Sequence, residues 1–232
     1  MRFLIILFLF LLTPVVVNAQ NVSSPSVDKG AWEFNNFAVF AENDRDNDVF
    51  EQKTRIEYGV TDRLALTFSG EFEQVEGNSV EFENTEYRLV YMLTEDGAPI
   101  NVAMRVLYDL DHSGDADSIG AELLFGQKFD KWRHLFNIDT AHEVGEKRES
   151  GLELDLAWGT YYSFDKFRLG GEYYVDFGNL RELSGYSEQA HQVGGSIKFD
   201  LISPVSLEFA YFAGISRGAD DHVFKNEIEF EF

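Results

Sequence analysis

From about residue 31 to its last residue, the chain runs in short segments in which apolar and polar side chains alternate. A period of two puts the two sets on opposite faces of a strand. No long 3.6-residue apolar pattern interrupts the series. Gly, Asp, Asn and Pro punctuate it, so strands are predicted near 31–42, 49–60, 63–74, 79–93, 99–110, 118–129, 132–144, 150–163, 166–177, 188–200, 204–215 and 222–232. The connections alternate too. One set is short ("VTDRL", "TEDGAP", "KFDKW", "SFDKF", "LISPV"). The other is longer and more charged ("ENDRDNDV", "QVEGNSV", "DLDHSGDADS", "VGEKRESG", "GNLRELSGYSEQ", "SRGADDH"). Short turns at one end and long loops at the other mark a closed antiparallel transmembrane β-barrel of the bacterial outer membrane. An even strand number places both termini on the periplasmic side.

The faces agree with this reading. In the last strand Phe224, Ile228, Phe230 and Phe232 share one face, and Lys225, Glu227, Glu229 and Glu231 the other. Near 99–110, Ile100, Val102, Met104, Val106 and Tyr108 oppose Asn101, Arg105 and Asp109. Near 150–163, Leu152, Leu154, Leu156, Trp158 and Tyr162 oppose Glu153, Asp155 and Tyr161. Near 166–177, Phe167, Leu169, Tyr173, Val175 and Phe177 oppose Arg168, Glu172 and Asp176. Arg or Lys facing lipid at the midplane costs roughly 2–4 kcal/mol, and no apolar face carries one at its middle. Two strands fit poorly. A parity change between Phe82 and Tyr87 predicts a bulge, and Trp32 and Phe34 disagree with Phe37 and Val39. A soluble sandwich or lipocalin-like barrel, with the apolar face inside, shares the same alternation.

The first twenty residues, "MRFLIILFLFLLTPVVVNAQ", pair a positive Arg2 with an apolar run too short to span a bilayer, followed by small-residue cleavage chemistry. A secretory signal cut after Ala19 is expected, leaving residues 20–232 as the barrel. The chain has no cysteine, which excludes disulfides, thiolate metal sites and a lipidated N-terminal Cys. Its formal net charge is −22, and one unit more negative without Arg2. That balance disfavours nucleic acid. Twenty-two Phe and ten Tyr require a large apolar environment despite this charge, and lipid against one strand face supplies it.

The stretch "FEQKTRIEYGVTDRLALTFSGEFEQ" resembles a strand–turn–strand element of poorly characterised Gram-negative outer-membrane proteins, some described as transporters or phenol-pathway channels. The outward aromatics and terminal Phe of the last strand resemble the signal by which such barrels are recognised by their assembly machinery. The matching residues are Phe224, Ile228, Phe230 and Phe232. The resemblance implies a cell outer-membrane location, contact with outer-membrane lipids and lipopolysaccharide, and passage through the barrel-assembly machinery. A monomer without cofactor is expected.

Function is sought in the lumen. By parity the inward bases are Lys53, Arg55, Arg88, Arg105, Lys128, Arg133, Arg168, Lys198 and Lys225. The more numerous inward acids are Glu51, Glu57, Glu71, Glu73, Glu122, Asp139, Glu143, Glu153, Asp155, Glu172, Asp176, Glu208, Glu227, Glu229 and Glu231. Inward Gly120, Gly126, Gly159, Gly170, Gly194 and Gly214 are expected to leave room along one wall. Twelve strands lie between barrels filled by side chains and water-filled porins. A narrow passive channel for small hydrophilic solutes with cation preference is expected; the alternative is a non-conducting structural barrel. An enzyme would draw on rim groups: Asp109, Asp111, His112 and Ser113, or Ser184, Ser187 and His191, or Asp220, Asp221 and His222, but no outer-membrane enzyme motif is matched. "DLDHSGDADSIG" partly matches a calcium loop through Asp109, Asp111, Asp115 and Asp117, but Gly120 sits where a bidentate acid is needed. "DRDND" adds Asp44, Asp46 and Asp48.

Overall fold

The computed structural model describes residues 21–43, 47–95, 97–148 and 150–232. The expected signal segment, and Asp44 and Asp46 of the first loop, lie outside the described residues. The strands are Trp32–Glu42 (β1), Val49–Gly59 (β2), Leu64–Val75 (β3), Glu81–Met92 (β4), Asn101–Asp111 (β5), Asp117–Phe129 (β6), Trp132–Val144 (β7), Glu153–Ser163 (β8), Phe167–Asn179 (β9), Ala190–Ile202 (β10), Val205–Gly214 (β11) and His222–Glu231 (β12). Each pairs antiparallel with its sequence neighbours, and β1 pairs with β12 to close the barrel. Closure removes the unpaired strand edges that hydrocarbon does not tolerate. At the seam the Trp32 and Phe232 backbones exchange hydrogen bonds of 3.0 and 2.8 Å, so the chain end completes the ladder.

The distribution of side chains is inverted relative to a soluble barrel. Phe68, Phe72, Met104, Trp158, Phe209 and Phe224 are exposed on the outer wall. Glu71, Glu86, Arg105, Glu122, Glu172, Glu208, Lys225 and Glu227 are buried inside. The lipocalin-like alternative requires the reverse and is set aside. Aromatic pairs ring the periplasmic rim, with Trp32–Tyr58 centroids 4.6 Å apart and Trp132–Tyr162 centroids 4.9 Å apart, as expected of an interfacial girdle.

The bulge expected between Phe82 and Tyr87 is present. Glu71 pairs with Asn84 but Phe72 with Phe82, leaving Glu83 as the extra residue. β1 is regular, with unbroken registers to β12 and β2. Its parity conflict is resolved by lumenal Phe37, Val39 and Ala41, which are buried.

Candidate functional site in the barrel lumen

The lumen is occupied in part by the chain's own N-terminal segment. Gly30 donates to the Gly59 carbonyl (2.7 Å) and Gly59 to that of Ala31 (3.1 Å), fixing the segment at the periplasmic end of β2. From there it rises inside the wall. Val27 packs on a cluster of Ala65, Val90, Met92, Ala103 and Leu124. Pro25 lies so close to β6 that a Cβ on Gly126 would sit 2.8 Å from its ring. The Ser23 N–H donates to Asn137 Oδ1 (2.9 Å), and Asn137 Nδ2 donates back to the Ser23 carbonyl (3.1 Å). Val22 joins Leu135, Tyr161, Tyr174 and Phe212 in a second buried cluster.

Two cavities flank this segment. The periplasmic one measures about 400 Å³ and is lined by Arg133, Arg168, Lys198, Glu208, Glu227 and Glu229 among others. The extracellular one measures about 450 Å³ and is lined by Lys53, Arg88, Asp109, Asp139, Glu153, Asp155 and Asp176 among others. Asn21, Ser23, Arg55 and Arg105 line both and form the waist. The inward glycines do not leave the wall open, contrary to expectation. The space beside Gly159 and Gly170 is filled by Tyr161, and that beside Gly194 by Phe212.

Most lumenal bases are held by carboxylates. Lys53 Nζ is 2.9 Å from Glu71 and 3.6 Å from Glu86. Arg88 donates to Glu86 through Nη2 (2.8 Å), and its Nε lies 2.7 Å from the same carboxylate without hydrogen-bond geometry, so the pair is an ion pair with one hydrogen bond. Arg105 pairs with Glu122, Arg55 with Glu33 (3.5 Å), Arg168 with Glu208 (3.5 Å), Lys198 with Glu229 (2.8 Å) and Lys225 with Glu208 (3.6 Å). Asn35 links two groups: it accepts from Arg55 (3.2 Å) and donates to Glu227 (2.9 Å). Glu172 is buried and accepts from Tyr174 (2.6 Å) and Ser196 (2.7 Å).

Two features depart from this pairing. Arg133 has no ion pair among the described residues and lies in the periplasmic cavity. On the other side, Glu122, Asp139, Asp155 and Asp176 stand in direct register across β6, β7, β8 and β9. Asp139, Asp155 and Asp176 have no Lys or Arg within ion-pair distance among the described residues. One oxygen of Asp139 and one of Asp155 are buried without a hydrogen-bond partner.

Of the parity-assigned lumen residues, Lys128, Glu153, Asp176 and Glu231 are exposed at the ends of the barrel, and the others are buried or half-buried. Glu86 was not assigned, although it shares the parity of Arg88, because the sequence places the bulge only somewhere between Phe82 and Tyr87; Glu86 lies at the centre of the Lys53–Arg88 cluster and also accepts from Ser69 (3.0 Å). The N-terminal segment was missed too, although Val22, Pro25 and Val27 interrupt an otherwise polar stretch. Phe224, Ile228, Phe230 and Phe232 lie on the outer face of the seam, where Phe224 stacks on Phe40 at 5.6 Å. The loop acids divide. Asp111 and Asp115 meet Glu83 closely enough to share a cation, while Asp109 faces the lumen and Asp117 accepts from Tyr108. The rim histidines pair with Thr85 (His112), Tyr173 (His191) and Tyr211 (His222), and none meets a serine hydroxyl through its ring among the described residues.

No family model and no curated protein matches the sequence. Solved structures do match the fold. A KdgM porin aligns at a TM-score of 0.65 with 9% identity, over 86% of this chain and 99% of that one. A KdgM porin in complex with disordered oligogalacturonate gives 0.62 at 8% identity, over 87% and 99%. A NanC porin gives 0.64 at 8% identity, over 85% and 98%. At such identities the likeness is one of fold: the chain is a twelve-stranded barrel of the kind built by outer-membrane porins and channels.

Proposed function

We propose that the protein is a narrow passive channel of the Gram-negative outer membrane, passing small hydrophilic solutes with a preference for cations. The observation that carries this reading is the register of Asp139, Asp155 and Asp176 along one wall of the extracellular cavity without basic partners. Seven lumenal bases, by contrast, are already held by carboxylates. A confined wall of one sign focuses potential and enriches the counter-ion, and rings of acidic side chains select cations. Oligogalacturonate, the ligand of the KdgM porin complex, is a polyanion, and this wall would repel it. No covalent step is invoked; the side chains orient and filter hydrated solutes.

Reversal potentials across a KCl gradient in planar bilayers test the reading. Cation preference is expected, strongest in dilute salt, because the Debye length is about 10 Å at 0.1 M. Anion preference would overturn it. The N-terminal segment at the waist favours a second reading, a non-conducting structural barrel, and complete absence of conductance would select that one.

A further inference from the structure

The outer wall carries a polar interruption at mid-height on three adjoining strands. Facing outward there are Asn226 on β12, Asn36 on β1, and Gln52 and Thr54 on β2, since their sequence neighbours Lys225, Phe37 and Lys53 face the lumen. Asn36 donates to Thr54 (2.9 Å) and accepts from Gln52 (3.5 Å). The Asn226 side chain has no hydrogen-bond partner among the described residues. Apolar rings lie above and below: Phe40, Phe50 and Phe224 toward the loops, Phe34, Ile56 and Phe230 toward the periplasm. Ala38, between Asn226 and Gln52 in register, keeps the centre low. On the other nine strands no Asn or Gln faces outward at mid-height among the described residues.

Hydrocarbon offers no hydrogen-bond partner at that depth. Between transmembrane helices, small and polar side chains at such depth mark protein–protein contacts, and the same lack of hydrogen-bond partners in hydrocarbon applies to a barrel wall. We propose that this face of β12, β1 and β2 binds a second copy of the chain about a two-fold axis near Ala38, in place of the monomer expected from sequence. Carboxamides donate and accept alike, so the patch complements its own image, which is the requirement of an isologous contact. A partner of fixed polarity would need only one sense. The charged side chains of these strands' middles all point inward, so two walls can meet without opposing charges in the bilayer. Asp48 and Asp220 at the rim, both bonded to Asn43, repel weakly across the axis, and physiological salt screens them.

The absence of cysteine makes the test clean. Single-cysteine proteins Ala38→Cys and, on the opposite wall, Ile138→Cys are oxidised in isolated outer membranes and run without reductant. A disulfide-linked dimer is expected from Ala38→Cys and not from Ile138→Cys. In detergent, sedimentation should show a dimer for the native chain. The Asn36→Leu, Gln52→Leu, Asn226→Leu triple variant should dimerise about twentyfold more weakly, at the average strength of polar contacts inside membranes. Leucine suits lipid, so this variant is expected to keep the gel shift on boiling that marks a folded barrel. Equal cross-linking at both positions, no dimer from Ala38→Cys, an unchanged dimer constant, or cross-linking of Ala38→Cys to a different protein instead of itself would each overturn the proposal.

Discussion

Releasing the N-terminal segment from the wall should enlarge the passage through the barrel. The segment is held at its upper end by Asn137, whose amide makes two hydrogen bonds to the Ser23 backbone. Asn137→Ala deletes both. At about 1 kcal/mol each the loss is about 2 kcal/mol, or roughly a 30-fold shift toward the released state. Val22→Asp acts on the same segment by different chemistry. It forfeits roughly 1.5 kcal/mol of apolar burial and places a carboxylate among Leu135, Tyr161 and Phe212, where an unpaired charge costs more still. Gly126→Ala gives a third route, by pressing a methyl group against Pro25. None of these side chains belongs to the acidic row, so selectivity should change less than conductance. Single-channel recordings in planar bilayers should show larger or longer openings for each variant. Unchanged amplitude and open time in all three, with gel shifts proving the barrels folded, would refute the idea that this segment sets the waist.

Neutralising the acidic row with Asp139→Asn, Asp155→Asn and Asp176→Asn together should move the reversal potential toward zero. A cation preference left intact would count against that wall as the filter. Glu86→Gln leaves Lys53 and Arg88 short of their shared acceptor. Stability should fall by roughly 3 kcal/mol, read as a lower urea midpoint in detergent or bilayers. Deleting Phe232 removes the terminal aromatic and its backbone bond to Trp32, so insertion should drop, whereas Glu229→Gln should insert nearly normally. Equal defects would undermine the outward signal. Cell fractionation should find the protein in outer membranes, and recovery in the soluble periplasm without detergent would exclude the proposed location.

What the sequence determined by itself is the wall. Strand number, loop asymmetry and the inward set from Lys53 to Lys225 are legible because a period of two is local: each residue's face follows from its neighbour's. Even the bulge left a local trace between Phe82 and Tyr87. Parity loses count where a residue is inserted, and Glu86 was missed just beyond the extra Glu83. Tertiary structure alone decided what fills the barrel. Val22, Pro25 and Val27 meet residues on strands from β3 to β11, far along the chain, and no periodicity in "NVSSPSVDKG" shows that they turn into the lumen. The same holds for the wall glycines, whose space is taken by Tyr161 and Phe212. Which bases keep free charge was also beyond reach, because pairs such as Arg168–Glu208 and Lys198–Glu229 join residues some thirty to forty positions apart. Parity assigns a side chain to the lumen, but strand register and the curvature of the closed wall set which charges stand within reach of one another there.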